Sequence, residues 1–557
     1  MSNYSVFKFR EFLNHTFMHQ KSQLFIMKQE TIVNESRFTK KTVVLFLLTI
    51  GVTAFTIRFF LIPSTPLSGD STNYFVYAAH TALHGRFSDI YYLTNNGWPL
   101  LLSLIFGLTS LDNPTFLMSI QKISSMFFSV ITIIPLYFLC RNFFGKSSSI
   151  FGTALFVFEP HIITNSTLGI TEPLFLFLGI SSLALFFNNN IKFTYISFAM
   201  VGLFTLIRFE GLLFFLVLSI IFLIKNRQRP KNLIQYPLIL LLFVLILLPI
   251  AILNIETHDR DSFLDELFAV SGYSYTHFVQ GEPEIGDPIY GDSNGFNMQK
   301  FLTLASTSII KFTGLLLIPI SIIFAIVGFA LIIKNRKNIK LDHKKITIIA
   351  ISVVMLLPAV YTYGRGSEDV RFLFMLYPII ILISTFTIEK LKNERKNMIL
   401  IIIIAIMVSG SIIYLETKNV DLEYENDVFT ITKVLASKTN LINGDSADIR
   451  YRTSVGIIQS WPDLPPPTVG ESHIKRSINI IPMTDEKTII EFIEKHKQKG
   501  LSHIAVDGNE EQPEFLKEIF YNEKDYPYLN KVYDSNEFGI KYHVKFFEID
   551  FGRLNET

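Results

Sequence analysis

"YISFAMVGLFTLIRFEGLLFFLVLSIIFLI" (195–224) runs for thirty residues with only two charges, Arg208 and Glu210, near its middle. A core helix of a soluble domain carries a far shorter apolar run, and a membrane-crossing helix needs about 20 mostly apolar residues. The stretch therefore belongs in lipid, yet Arg or Glu at bilayer centre costs about 2.5–3.5 kcal/mol on insertion scales. Two half-length helices that meet at an interfacial turn resolve the conflict. In the plainest form, Arg208 snorkels to the surface and Glu210 partners it. In the functional form, the pair belongs to a site.

The rest of the chain agrees with a membrane setting. Of its 557 residues, 49% are hydrophobic and only 18% charged, where soluble chains average about 25% charged. The net charge of +2 gives no electrostatic case for nucleic acid. The single cysteine, Cys140, excludes an intrachain disulfide framework or a cysteine metal site. Eleven spans read well: 42–62, 115–140, 148–165, 171–187, 193–208, 211–225, 233–254, 304–333, 346–363, 372–388 and 398–415. The first starts too late and runs too long for a cleavable signal peptide. "WPLLLSLIFGLTS" (98–110) is apolar but short, and reads as a re-entrant or interfacial helix. With that choice, "FTKK" (38–41), "RNFFGK" (141–146), "KNRQRPK" (225–231), "KNRKNIKLDHKK" (334–345) and "EKLKNERK" (389–396) all fall on one side, which the positive-inside rule makes the cytoplasm.

The chain thus divides into a cytoplasmic segment 1–41, a transmembrane domain 42–415 and an extracytoplasmic α/β domain 416–557. In the last, "EKTIIEFIEKHKQKG" (486–500) and "PEFLKEIF" (513–520) have helical spacing, while "LSHIAVD" (501–507) and "KYHVKFFEID" (541–550) read as strands. "WPDLPPPTVG" (461–470) is a Pro-rich loop.

Polar groups gather at the outer ends of the spans. "LSGDSTNYFVYAAHTALHG" (67–85) places Asp70 at the start of an amphipathic helix suited to lying on the outer leaflet. Tyr74 and Tyr77 follow along it. Asp70 also reads as a simple helix cap. In "FVFEPHIITNSTLGITEPLFLFLG" (156–179), Glu159 and Glu172 flank an outer turn. Both have the alternative role of a carboxylate at a helix start, and His161 that of an interfacial histidine. "YGRGSEDVRFLFMLYP" (363–378) carries Arg365, Glu368, Asp369 and Arg371, with arginine suited to bidentate phosphate recognition or to a solvated turn. Lys122 and Lys311 read as snorkelling. No phosphate-binding loop, dinucleotide fingerprint, HExxH or GxSxG motif is present. Arginines at the outer leaflet point to a lipid-phosphate substrate.

These segments, in this order, resemble the GT-C glycosyltransferases, in the branch of protein O-mannosyltransferases and aminoarabinose transferases (family 39-like). The resemblance covers 42–415. It rests on Asp70 after the first span, on "NNGWPLLLSLIFGL" (95–108), on 136–179, on "LIRFEGLL" (206–213) and on "EDVRFLFMLYPII" (368–380). It implies a polytopic α-helical fold of about 11–13 transmembrane helices and inverting transfer of a sugar from a polyprenyl (dolichyl) phosphate. The acceptor would be a hydroxyl of a protein, lipid or glycan. Asp70 and Glu172 match the family's loop acids, and Arg371, with Arg365, its phosphate-holding basic residues. Glu368, Arg208, Glu210, Tyr74, Tyr77 and His161 complete the expected site. Relatives often carry two adjacent acids where Ser71 follows Asp70 here, which weakens a metal-binding reading while leaving a divalent metal possible; no other cofactor is expected. The rival reading is a transporter or lipid flippase, although such proteins hold their charges at the midplane of paired repeats.

Overall fold

A computed structural model describes residues 39–87, 93, 96–258, 298–317, 321–335, 341–390, 396–417, 422–444, 447–461, 463, 477–482, 486–510 and 512–555. The expected 1–41 segment, the long loop after residue 254 and the Pro-rich 461–470 stretch lie almost wholly outside the described residues.

The described residues from Lys40 to Thr417 form a helical bundle. Among the described residues, seven helical segments are long and apolar enough to cross a membrane: Lys40–Phe60, Pro114–Arg141, Pro230–Thr257, Met298–Leu317, His343–Gly364, Val370–Glu389 and Lys396–Thr417. Shorter apolar helices, Gly97–Phe106, Glu172–Phe186, Ile191–Ile207 and Ser321–Lys334, pack with them. Lys40–Phe60 starts where the Thr39 hydroxyl accepts from the Thr42 N–H at 3.1 Å. It turns Leu45, Leu48 and Val52 outward as a lipid-facing stripe, and buries Arg58 on the other face. The Arg58 guanidinium donates to Ser166 Oγ at 3.0 Å, Ser129 Oγ at 3.1 Å, and the carbonyls of Val157 at 2.9 Å and Ala54 at 3.1 Å. One side chain therefore fastens the first helix to three later segments.

Two expected spans each fold as two helices, the first of them broken at a proline. The 148–165 run folds as Lys146–Val157 and then Pro160–Ser166. Pro160 lacks an N–H and drives Glu159 to extended backbone (φ −67°, ψ 124°), and Glu159 then caps the short helix through the His161 N–H at 3.2 Å. Twelve helical residues reach only about 18 Å. The 304–333 run folds as Met298–Leu317 and Ser321–Lys334, with Pro319 in the sequence between them. The second piece lies along Tyr377–Glu389: Ser321 and Tyr377 share a hydrogen bond of 2.7 Å, and Thr387 donates to the Phe324 carbonyl at 2.9 Å. A Cβ on Gly328 would stand 2.1 Å from the Ile383 carbonyl oxygen, so only glycine allows this approach.

The amphipathic helix Asp70–His84 is not laid on a lipid surface. Ser71, Thr72, Phe75, Val76, Tyr77, Ala78, Ala79 and His80 are all buried, with Phe75 against Phe106 (5.6 Å between ring centroids) and Trp461 (6.3 Å). Nor does Lys122 snorkel: its ammonium is buried and donates to the carbonyls of Thr65 at 2.6 Å and Pro63 at 3.1 Å.

The C-terminal region begins with helix Leu422–Lys438 and holds two small sheets. Strands β1 (Leu441–Asn443) and β2 (Asn479–Ile481) pair in parallel. Strands β3 (His503–Asp507), β4 (Leu529–Asp534) and β5 (Val544–Ile549) form an antiparallel sheet in the order β3-β5-β4. Asn443 joins the sheets by donating to the Ala505 carbonyl and accepting its N–H, both at 2.8 Å. Helices Ile489–His496 and Glu514–Tyr521 bury Phe492, Ile493, Leu516 and Ile519 against β3 and β5. The expected elements of this region are thus present, together with β1, β2 and β4, which alternation did not reveal.

This region sits directly on the segment leading to Asp70. Ser64 donates to Asn426 at 2.8 Å, Thr65 and Tyr451 share a hydrogen bond of 3.0 Å, Ser454 donates to the Leu67 carbonyl at 2.5 Å, and the Trp461 indole donates to the Leu111 carbonyl at 2.8 Å.

Candidate active site

Asp70 opens its helix without capping it. Gly69 holds the cap position at φ +62°, and no side chain makes a cap hydrogen bond there. The carboxylate is 58% exposed and accepts from Arg371 Nη1 at 3.2 Å. Arg371 enters at the start of the 3₁₀ turn Val370–Leu376, which Asp369 caps by accepting the Arg371 N–H at 2.9 Å. The other Asp369 oxygen takes Arg371 Nε at 2.5 Å. This fixes the guanidinium fork, so that Nη1 also comes 3.6 Å from the Glu172 carboxylate.

Glu172, only 3% exposed, is the meeting point. It starts the helix Glu172–Phe186; the Thr171 hydroxyl donates to one oxygen at 3.3 Å and Arg208 Nη1 to the other at 3.3 Å. Arg208 ends the helix Ile191–Ile207 in extended backbone, its remaining donors on Glu210 at 2.8–3.2 Å and its plane 5.1 Å from the Phe175 ring centroid. The order of contacts is therefore Asp70, Arg371, Glu172, Arg208, Glu210. Tyr74 lies within reach of this chain, its phenol pushed up to about 12 by burial and then by the Glu172 charge.

The backbone is braced by a residue that the sequence did not single out. Gln121, fully buried, donates to the Ser71 carbonyl at 2.8 Å and the Gly169 carbonyl at 2.7 Å. It ties the Asp70 turn to the turn before Glu172. Gly169 itself sits at φ +76°, and a Cβ there would meet Gln121 and Leu67 at 3.1–3.2 Å, so glycine is needed on both counts. The sole signal was an amide beside a lysine in an otherwise apolar helix. Asp369 is likewise more central than its place in a charged turn suggested.

Other expected residues have different neighbours. Glu368 pairs with Lys311 at 3.0 Å, both exposed. Arg365 donates to the Tyr361 hydroxyl at 3.3 Å and lies over its ring. Tyr77 is buried against Phe87, and His161 stands beside Tyr414 at 6.0 Å between ring centroids. Beside Arg208 and Arg371, the apolar side chains of Phe175, Phe204, Met355 and Phe372 enclose a small space of about 20 Å³. Among the described residues no three His, Cys, Asp or Glu side chains are grouped to hold a metal ion. Arg371 stands between the Asp70 and Glu172 carboxylates, where a divalent cation would have to bind, so this donor set does not suit one.

Comparison with known proteins identifies this arrangement of helices. A model of the family described as dolichyl-phosphate-mannose-protein mannosyltransferase matches residues 115–253, a span containing Glu172, Arg208 and Glu210. Among solved structures, the chain is similar to the oligosaccharyltransferase AglB from Archaeoglobus fulgidus, in complex with an inhibitory peptide and a dolichol-phosphate (TM-score 0.52, 12% identity, covering 89% of this chain and 73% of that one). It is also similar to ArnT from Cupriavidus metallidurans bound to undecaprenyl phosphate (TM-score 0.50, 10% identity, covering 93% and 99%). The chain has a GT-C-like fold. At such identities the structural likeness carries the fold, and the family match covers about a quarter of the chain. No curated protein matches in sequence. The chain's long apolar helices are those of a multi-pass membrane protein.

Proposed function

We propose that this chain is a glycosyltransferase that moves a sugar from a polyprenyl phosphate to an acceptor hydroxyl at the extracytoplasmic face. The observation that carries the reading is the unbroken line of ion pairs from Asp70 through Arg371, Glu172 and Arg208 to Glu210, bordered by apolar side chains. A lipid-linked phosphate needs this combination: guanidinium forks for the headgroup and apolar contacts for the lipid. The basic loops 141–146, 225–231 and 389–396 follow the opposite ends of the spans, which supports setting the Asp70 end outside.

In the reaction, the acceptor oxygen attacks the anomeric carbon from the face opposite the phosphate, inverting the centre. The carbon–oxygen bond to phosphate breaks, its electron pair stays on the phosphate, and the acceptor proton passes to Asp70. Arg371 stabilises the charge that grows on the leaving group, and Glu172 holds both arginines in place. Arg371 divides its donors among Asp70, Glu172 and Asp369. A phosphate competes for those donors, so donor binding frees the Asp70 oxygens to take the acceptor proton. No step passes through a metal.

The test uses the purified protein in lipid, radiolabelled polyprenyl-phosphate hexoses and a membrane extract as acceptor pool. Asp70→Asn should slow transfer by about 10²–10⁴-fold, the usual worth of a general base. Transfer at the wild-type rate by Asp70→Asn would remove Asp70 from the chemistry. Absence of transfer from every donor by the folded wild type would favour a transporter.

A further inference from the structure

A cavity of about 310 Å³ lies outside the ion-paired site. It opens at the seam between the segment before Asp70, the start of helix Pro114–Ile131 and helix Leu422–Lys438. The volume falls at the lower end of small-molecule sites.

Its lining is specific in character. Ser64, Thr65, Thr115 and Ser119 contribute hydroxyls and Asn113 an amide, while Phe116 and Phe429 contribute aromatic rings. Most of the hydroxyl protons are already engaged within the protein: Ser64 donates to Asn426 at 2.8 Å, Thr115 to Asn113 at 2.7 Å and Ser119 to the Thr115 carbonyl at 3.0 Å. Their oxygens keep acceptor capacity. Lys122, which also lines the cavity, gives two of its three donors to the Thr65 and Pro63 carbonyls.

The matching ligand must offer several donors and some acceptors around a body able to pack on aromatic faces. An anion would meet a single ammonium that is mostly committed and on which Glu425 also acts. A metal ion would find no carboxylate in the wall. An apolar ligand would strand the hydroxyls. We propose that this cavity binds a carbohydrate, through hydrogen bonds to the Thr65, Thr115 and Ser119 hydroxyls and packing on Phe116 and Phe429. The carbohydrate comes either from a glycan-bearing acceptor or from the lipid-linked donor. The cavity borders the same strap that leads, four residues on from Pro66, to Asp70.

The experiment reads binding without turnover, so its outcome is separate from that of the transferase assay. Full-length protein in nanodiscs is titrated with glucose, mannose, N-acetylglucosamine and their disaccharides under saturation-transfer difference NMR. Trp461, which donates to Leu111 beside the cavity, serves as a fluorescence reporter. Two variants alter the cavity in opposite ways: Ser119→Phe, at an exposed position, fills it, and Phe429→Ala removes a ring. At least one sugar should bind, with affinity about tenfold lower in each variant. Competition by a polyprenyl-phosphate hexose assigns the site to the donor; continued binding in its presence assigns it to the acceptor. Failure of every sugar to bind the folded protein, or equal binding by wild type and both variants, overturns the proposal.

Discussion

Asp70 and Arg208 are both ion-paired, but they differ in what surrounds them. Asp70 is 58% exposed on its side chain, and an exposed pair is worth about 0–1 kcal/mol. Asp70→Asn should therefore melt close to wild type while losing transfer. Arg208 faces Glu172, 3% exposed, and removing the cation strands a buried carboxylate. Arg208→Gln should lower stability by about 3–5 kcal/mol, seen as a fall in the melting temperature of the protein in nanodiscs. Arg371→Lys keeps a charge but loses the fork that reaches Asp70, Asp369 and Glu172 at once. Transfer should drop nearly as far as in Arg371→Gln, about 10²–10³-fold. Charges such as Asp70, Glu172, Arg208 and Arg371 were legible in the sequence because lipid makes every ionic residue costly. Gln121 was not, since a neutral amide in an apolar helix looks like filler until its two carbonyl partners are known.

The elements were legible where one period ran unbroken and illegible where a proline or a third dimension intervened. Lys40–Phe60 and the pair on either side of Arg208 follow from hydropathy alone. The break at Pro160 does not, because summed apolarity hides a missing N–H. Helix Asp70–His84 was amphipathic in sequence, but its apolar face meets Phe106 and Trp461 rather than lipid; hydropathy cannot tell the two apart. Strands β1 and β2 have three residues each, too few to show alternation. A close contact between elements is at Gly328. Gly328→Ala should push Ser321–Lys334 from Tyr377–Glu389 and cost about 1–3 kcal/mol, measurable by the same melting experiment.

At the scale of the molecule, the C-terminal region grips the strap before Asp70 through Tyr451 and Ser454. Tyr451→Phe combined with Ser454→Ala should slow turnover, by up to about 10²-fold if the carboxylate moves by an ångström, with donor KM little changed. A similar loss of donor affinity would show that the region serves binding instead. The region's own stability should depend on acid. Burial raises the Asp534 carboxyl, but the Asn536 N–H, His543 and Lys531 outweigh it and hold it below the ordinary value. Lys545 and Lys531 do the same for Glu523 against burial. Both groups are depressed on folding, so their contribution is full above the unfolded carboxylate pKa of about 4 and fades as pH falls through the folded values. Melting of the full chain should drop below about pH 4, less steeply in Asp534→Asn.

The Arg58 anchor has a consequence for how the protein is made. Its partners Ser129, Val157 and Ser166 are 71, 99 and 108 residues further along the chain. When the first helix leaves the ribosome and enters the membrane, its guanidinium has only the Ala54 carbonyl of its own helix to satisfy it. That helix is then a reluctant resident of the bilayer until the later segments are synthesised. Truncated nascent chains that end before residue 129 should accordingly leave the first helix easier to extract from the membrane than chains that reach beyond residue 166, and Arg58→Leu should erase the difference.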